Sequence, residues 1–137
     1  MAAYNKTRNA RYNLKYEFAW CVNWRRNLLQ PPIDQALKTI LRRIARENDY
    51  RLEKLQVMPD YVQFFIEVPP RVAPAEVVKH LKGVSARRLL KARPELRGKL
   101  VRGKLWTATY YVATVGRASD DAVQSWVSRH RKKRSNL

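Results

Sequence analysis

An alternating run at residues 61–68 constrains this chain more than any other feature. Pro59-Asp60 signals a turn before it and Pro69-Pro70 closes it. Pairing must therefore be completed between two backbone breakers. Alternation with a period of two marks a half-buried strand. Val62, Phe64, Ile66 and Val68 fall on one face, and Tyr61, Gln63, Phe65 and Glu67 on the other. Tyr61 and Gln63 thus point the same way, as two metal ligands or two catalytic groups would have to. The pair is a phenol and an amide.

The pattern around this strand alternates between two periods. Residues 12–22, Y-N-L-K-Y-E-F-A-W-C-V, alternate loosely and read as a strand, and Asn23-Trp24-Arg25-Arg26 reads as a basic turn. After Pro31-Pro32 the period becomes helical, with Ile33, Ala36, Leu37, Ile40, Leu41 and Ile44 inward and Lys38, Arg42, Arg43 and Arg46 outward. Asn48-Asp49 ends that helix, and residues 51–57 form the next strand. Pro74 suits the first turn of a second helix over about 75–92, with Val77, Val78, Leu81, Val84 and Leu89 as its buried stripe. Gly83 inside it costs about 1 kcal/mol relative to alanine, and it is either a point of close approach for another backbone or a plain weak spot. Residues 105–115 read as a fourth strand, and Ser119 caps a last helix whose Val123, Trp126, Val127 and His130 share a face.

The order strand, helix, strand, strand, helix, strand, helix predicts an α+β fold. This is a ferredoxin-like (RRM-like) sandwich, a four-stranded antiparallel sheet with helices on one face plus a C-terminal helix. One domain is expected over 12–130, with a basic arm at 1–11 that orders on a partner and a basic tail at 131–137. The open face of such a sheet, when basic and aromatic, is a frequent platform for single-stranded nucleic acid.

Charge narrows the partner. The 137 residues carry 29 Lys and Arg against 11 Asp and Glu, a net +18. A surplus of this size strains a compact fold unless a polyanion shares it. With 45% hydrophobic residues the chain is not a disordered one. Because the cations accompany a globular core rather than one amphipathic helix, nucleic acid is favoured over an anionic membrane. No apolar run approaches the roughly 20 residues of a membrane span, and no signal-peptide core is present. The single cysteine, Cys21, excludes an internal disulfide and reads as a small buried residue in a reducing, cytoplasmic setting. Between Arg87 and Lys104 stand eight Lys or Arg and one acid, Glu95. That stretch is either an ordinary solvated face or a phosphate-binding one.

Five segments together give the chain a family likeness. They are W-C-V-N-W-R-R (20–26), V-M-P-D-Y-V-Q-F-F (57–65), L-K-G-V-S-A-R (81–87), G-K-L-W-T-A-T-Y-Y-V (103–112) and V-G-R-A-S-D-D (115–121). In this order and spacing the chain resembles the small HUH-motif, single-tyrosine transposases of insertion sequences (the insertion sequence 200 type) over residues 12–130. The resemblance implies a His-hydrophobic-His pair that holds a divalent metal, a tyrosine on the last helix that attacks a DNA phosphate, and a glutamine one turn later that completes the metal site. Carried over, those positions are Tyr61, Gln63, Trp126 and His130, and all four differ. Trp has no hydroxyl to accept a phosphoryl group. A phenol and a neutral amide are weak ligands for a hard ion. Glu67 lies four positions, about 13 Å, along the strand from Gln63.

The resemblance therefore implies no catalytic residue, no metal and no cofactor, and a binder of hairpin or single-stranded DNA, or of structured RNA, acting as a homodimer away from membranes. The candidate phosphate contacts are Arg25, Arg26, Lys82, Arg87, Arg88, Lys91, Lys104, Arg131, Lys132, Lys133 and Arg134, and the candidate stacking residues are Trp24, Trp106 and Tyr110. Two alternatives stay open: an active transposase or nicking enzyme with an altered, metal-dependent site, and a basic structural component of a ribonucleoprotein particle. Plainer readings stand beside these. Trp126 suits a core anchor, Tyr61 and Gln63 can hydrogen-bond each other in the vacated pocket, and His80 reads as solvated or phosphate-facing. Tyr110 and Tyr111 offer substitute phenols without metal ligands near them.

Overall fold

The structure, a computed structural model, describes the backbone at residues 5–6, 11–12, 14–115 and 120–129. The alternating run forms β5 (Tyr61–Glu67), an inner strand of a four-stranded sheet. Its neighbours are β3 (Lys15–Cys21) and β4 (Arg51–Val57), and β6 (Tyr111–Thr114) lies beyond β3, so the order is β4-β5-β3-β6, antiparallel throughout. The three helices are α1 (Ile33–Glu47), α2 (Pro74–Ala92) and α3 (Asp120–Ser128). Within the stretch expected to order only on a partner, β1 (Asn5–Lys6) pairs antiparallel with β2 (Arg11–Tyr12). The rest of residues 1–11, the Ser119 cap, His130 and the tail at 131–137 lie outside the described residues.

The α+β sandwich expected from the element order is the observed fold. One face of the sheet presents Phe18, Trp20, Val62, Phe64 and Ile66 to Leu37, Leu41 and Ile44 of α1 and to Val77, Leu81 and Leu89 of α2. Each of these buried side chains contributes roughly 1.5–3 kcal/mol. Trp20 meets Phe64 edge-on, with ring centroids 5.3 Å apart. The helix α1 stops where Asp49 adopts a left-handed φ of 59°, and the Asn48 side-chain amide donates to the Ile44 carbonyl at 2.8 Å. In α2 the buried stripe is Val77, Val78, Leu81, Ser85, Leu89 and Leu90, with Val84 only half-buried. The close backbone approach expected at Gly83 is not found among the described residues: a Cβ there would meet nothing within 4 Å.

The expected fourth strand is shortened. Residues 105–110 make one isolated bridge, Val22 to Trp106, before β6 begins at Tyr111. The physical reason is competition for backbone groups. The Lys82 ammonium donates to the carbonyls of Thr107 and Thr109, which therefore turn toward α2 rather than toward a neighbouring strand. Trp106 dives into the core and donates its indole N–H to Ser85 Oγ at 3.1 Å.

The second face of the sheet is not open. At one end α3 lays Val123 and Val127 on Ala19, Cys21 and Tyr61, a small second core. At the other end the face is ionic, with Lys15 to Glu53 at 3.0 Å and Arg51 to Glu67 at 3.9 Å. Of the basic, aromatic platform expected on this face there remains Phe65, half-buried beneath the Lys54 ammonium at 5.1 Å.

Candidate functional site

The register of β3 against β5 sets the geometry of the second face. Cys21 stands opposite Tyr61, Ala19 opposite Gln63, and Glu17 opposite Phe65. Gln63 and Glu17 are therefore diagonal neighbours, within reach of one another. Gln63 donates from Nε2 to Glu17 Oε2 at 2.7 Å, and both are buried, at 7% and 2% exposure. The donor end of the amide thus goes to Glu17. A short hydrogen bond to a carboxylate is among the stronger kinds. Sequence reasoning missed Glu17 and looked to Glu67 instead. Alternation along 15, 17, 19 and 21 puts Glu17 on the polar face, but only the strand register puts it beside Gln63.

Tyr61 is buried in the second core. Trp126, half-buried on α3, sets its ring against Tyr111 with centroids 6.1 Å apart. Among the described residues no three His, Cys, Asp or Glu side chains are grouped as a metal ion would require. The substitute phenols have different fates. Burial first, and the Glu17 charge second, push the Tyr111 phenol above its ordinary range, which keeps it protonated. Tyr110 packs on the opposite face against Phe18 at 6.2 Å. His80 shares a 3.0 Å hydrogen bond with Tyr50.

The nucleic-acid candidates separate into two groups. Several are engaged inside the fold. Arg25 is held by Asp60, with Nε and Nη2 each 3.0 Å from Oδ2. The Arg26 guanidinium donates to the Lys99 carbonyl. Arg88 grips Glu47 with contacts of 2.8 and 3.4 Å. Lys82 lies 6.0 Å over the Trp20 ring, and burial lowers its pKa to about 8, with Cys21 opposing the shift. Trp106 is buried and has no face to offer a base. Trp24 and Tyr110 are half-buried. Arg87, Lys91 and Lys104 are exposed. The tail candidates Arg131, Lys132, Lys133 and Arg134 lie outside the described residues.

Charge is concentrated on the helical layer. The helices α1 and α2 carry nine Lys and Arg against Asp34, Glu47 and Glu76. The sheet's second face is balanced, with Glu17, Glu53 and Glu67 against Lys15, Arg51 and Lys54, whose ammonium lies 5.1 Å over the Phe65 ring. Positive charge is therefore densest on the helices and on the 97–104 segment, where Arg97, Lys99, Arg102 and Lys104 are exposed.

Comparison with known proteins agrees with the geometry. The family described as "Transposase IS200 like" matches residues 10–130. The chain is similar to the ISDra2 transposase TnpA of Deinococcus radiodurans, 38% identical over 128 residues that cover 93% of this chain and 91% of the relative. It is similar at 27% identity over 109 residues to the transposase of insertion sequence element IS200 from Salmonella typhimurium, covering 80% of this chain and 72% of the relative. Among solved structures, a Deinococcus radiodurans R1 chain assigned as a transposase superposes with a TM-score of 0.88 at 35% identity, covering 94% of this chain and 99% of that one. A REP-associated tyrosine transposase bound to a REP hairpin shares the fold, with a TM-score of 0.56 at 14% identity over 88% of this chain and 68% of that one.

Proposed function

This chain belongs to the IS200-like transposase family, and from that premise we propose that it binds structured nucleic acid without cleaving it. One observation carries the reading. The positions that the resemblance ties to metal and nucleophile hold an amide bonded to a buried carboxylate, a buried phenol and an indole packed at a tilt against Tyr111. A transesterification needs a hydroxyl that can leave its proton, and the indole has none. Tyr111, the phenol beside it, is pushed toward its protonated form. The donor set at Tyr61, Gln63 and Glu17 offers one carboxylate already engaged by an N–H, which is poor material for a hard divalent ion. No metal and no cofactor belong to this function.

The ligand follows from the charge. Exposed cations on α1, α2 and 97–104 hold phosphates, and a DNA hairpin is the first ligand to test, because a protein of the same fold carries a REP hairpin. Structured RNA satisfies the same shape and phosphate recognition. The protein acts as a homodimer, as the family resemblance implies, and light scattering measures that directly.

The test is incubation of the full chain with labelled hairpins and Mg²⁺ or Mn²⁺, resolved on native and denaturing gels. A mobility shift on the native gel with intact, unmodified DNA on the denaturing gel is the expected result. A covalent protein–DNA adduct would overturn the non-cleaving reading. Sequencing the nucleic acid that copurifies at low salt separates a DNA ligand from an RNA one.

A further inference from the structure

The segment L-K-G-V-S-A-R (81–87) has an inner half that the fold explains and an outer half that it does not. Inward, Leu81 is buried, Lys82 bonds the Thr107 and Thr109 carbonyls, and Ser85 accepts from Trp106. Outward lie Gly83 and Arg87, both exposed. A glycine inside a helix destabilises it relative to alanine, and nothing stands within 4 Å of a Cβ placed at Gly83. No packing among the described residues asks for its missing side chain.

We propose that the outer stripe of α2, Lys79, Gly83, Arg87 and Lys91, takes the sugar–phosphate backbone of a nucleic-acid stem, with Gly83 as the point of closest approach. This deepens the nucleic-acid reading above and rests on it. Residues four apart share one stripe of a helix, and all four are exposed. From position 79 to position 91 the stripe runs about 18 Å at 1.5 Å per residue, about five steps of a nucleic-acid strand at 3.4 Å each. Lys79, Arg87 and Lys91 take part in none of the ion pairs among the described residues. Glu76 stands one turn before Lys79, and Glu47, at the border with α1, is already engaged by Arg88. Exposed Arg42, Arg43 and Arg46 on α1 extend the same basic surface. Three unpaired cations around a bare backbone suit a polyanion that must come close. A rigid row, inclined across the helix as a four-residue ridge is, suits a stem, whose backbone is itself helical and stiffer than a single strand.

The test uses the full chain and labelled DNA hairpins with one loop and stems of decreasing length. Gly83→Leu adds a strong helix former into open space, so its melting temperature holds or rises. Its hairpin affinity falls roughly tenfold or more, the equivalent of one charge-assisted contact. Arg87→Ala with Lys91→Ala lowers the slope of log affinity against log salt by roughly 1.8. Equal binding by wild type and Gly83→Leu, in a wild type that does bind hairpins, overturns the stripe and leaves the nucleic-acid reading standing. Binding that is insensitive to stem length overturns the stem as ligand. A wild type that binds no hairpin, DNA or RNA, overturns both readings.

Discussion

Replacing Gln63 with leucine tests whether a polar pair fills the site where the family resemblance implies a metal. Glu17 is 2% exposed, and its Oε2 receives the Gln63 amide at 2.7 Å. Leucine has nearly the same volume, so the packing term is small. The loss is that of a hydrogen bond to a charged acceptor, about 1.5–3 kcal/mol. For a chain of this length, roughly 4 °C per kcal/mol converts this to a fall in melting temperature of about 6–12 °C. Glu17→Leu alone strands the buried amide and costs about 1–3 kcal/mol. Changing both residues together replaces the polar pair by apolar neighbours and recovers part of either loss. Urea unfolding of the four proteins, with unchanged slopes, closes the double-mutant cycle. Coupling between the two sites should reach about 0.5–3 kcal/mol. Additivity within about 0.5 kcal/mol, or a Gln63→Leu protein as stable as wild type, would refute the pairing and with it the account of how this centre is filled.

Two further outcomes follow from buried groups. Burial holds Lys82 at about 8 against an ordinary 10.5, so between those values the unfolded chain binds a proton that the folded chain does not, and Lys82 makes stability rise with pH. Cys21, raised from 9.0 to about 11 mainly by burial, works oppositely, because the unfolded thiol ionises first and stability falls through that window. Chemical denaturation should therefore show stability climbing from pH 8 to 9 in wild type but not in Lys82→Met; above pH 9 Cys21 offsets Lys82 and the wild type levels off, whereas Cys21→Ala should go on climbing. Trp106→Phe keeps an aromatic ring but loses the N–H that reaches Ser85; it should cost about 1–3 kcal/mol of stability, read by urea unfolding, and leave hairpin affinity unchanged. A loss of affinity without a loss of stability would return Trp106 to the stacking role.

Periodicity made most of the fold legible. The alternation at 61–68 and the three- and four-residue spacing from Ile33 are local consequences of strand and helix geometry, so β5 and α1 emerge within a residue or two of their bounds. The shortened β6 was not legible, because residues rich in β-branched and aromatic side chains satisfy strand propensity wherever their carbonyls go. Here the carbonyls of Thr107 and Thr109 go to an ammonium on a helix 25 and 27 residues earlier in sequence. The basic residues were visible as a surplus, but their roles were not. Arg25 and Arg88 read like Arg87 in one dimension, yet two of the three face acids distant in sequence, Asp60 and Glu47.

Spacing and side-chain chemistry alone settle the element types, the α+β order and the residues that stand at Tyr61, Gln63 and Trp126. Composition likewise settles the net charge of +18, because net charge is a sum and needs no geometry. What those residues touch is a matter of three-dimensional packing. Strand register placed Glu17 beside Gln63, α3 sealed the second face over Tyr61, and helix packing turned Lys82 and Ser85 inward while leaving Gly83 and Arg87 outside. Each of these is a contact between segments far apart in the chain, fixed by burial and hydrogen-bond satisfaction rather than by any local preference.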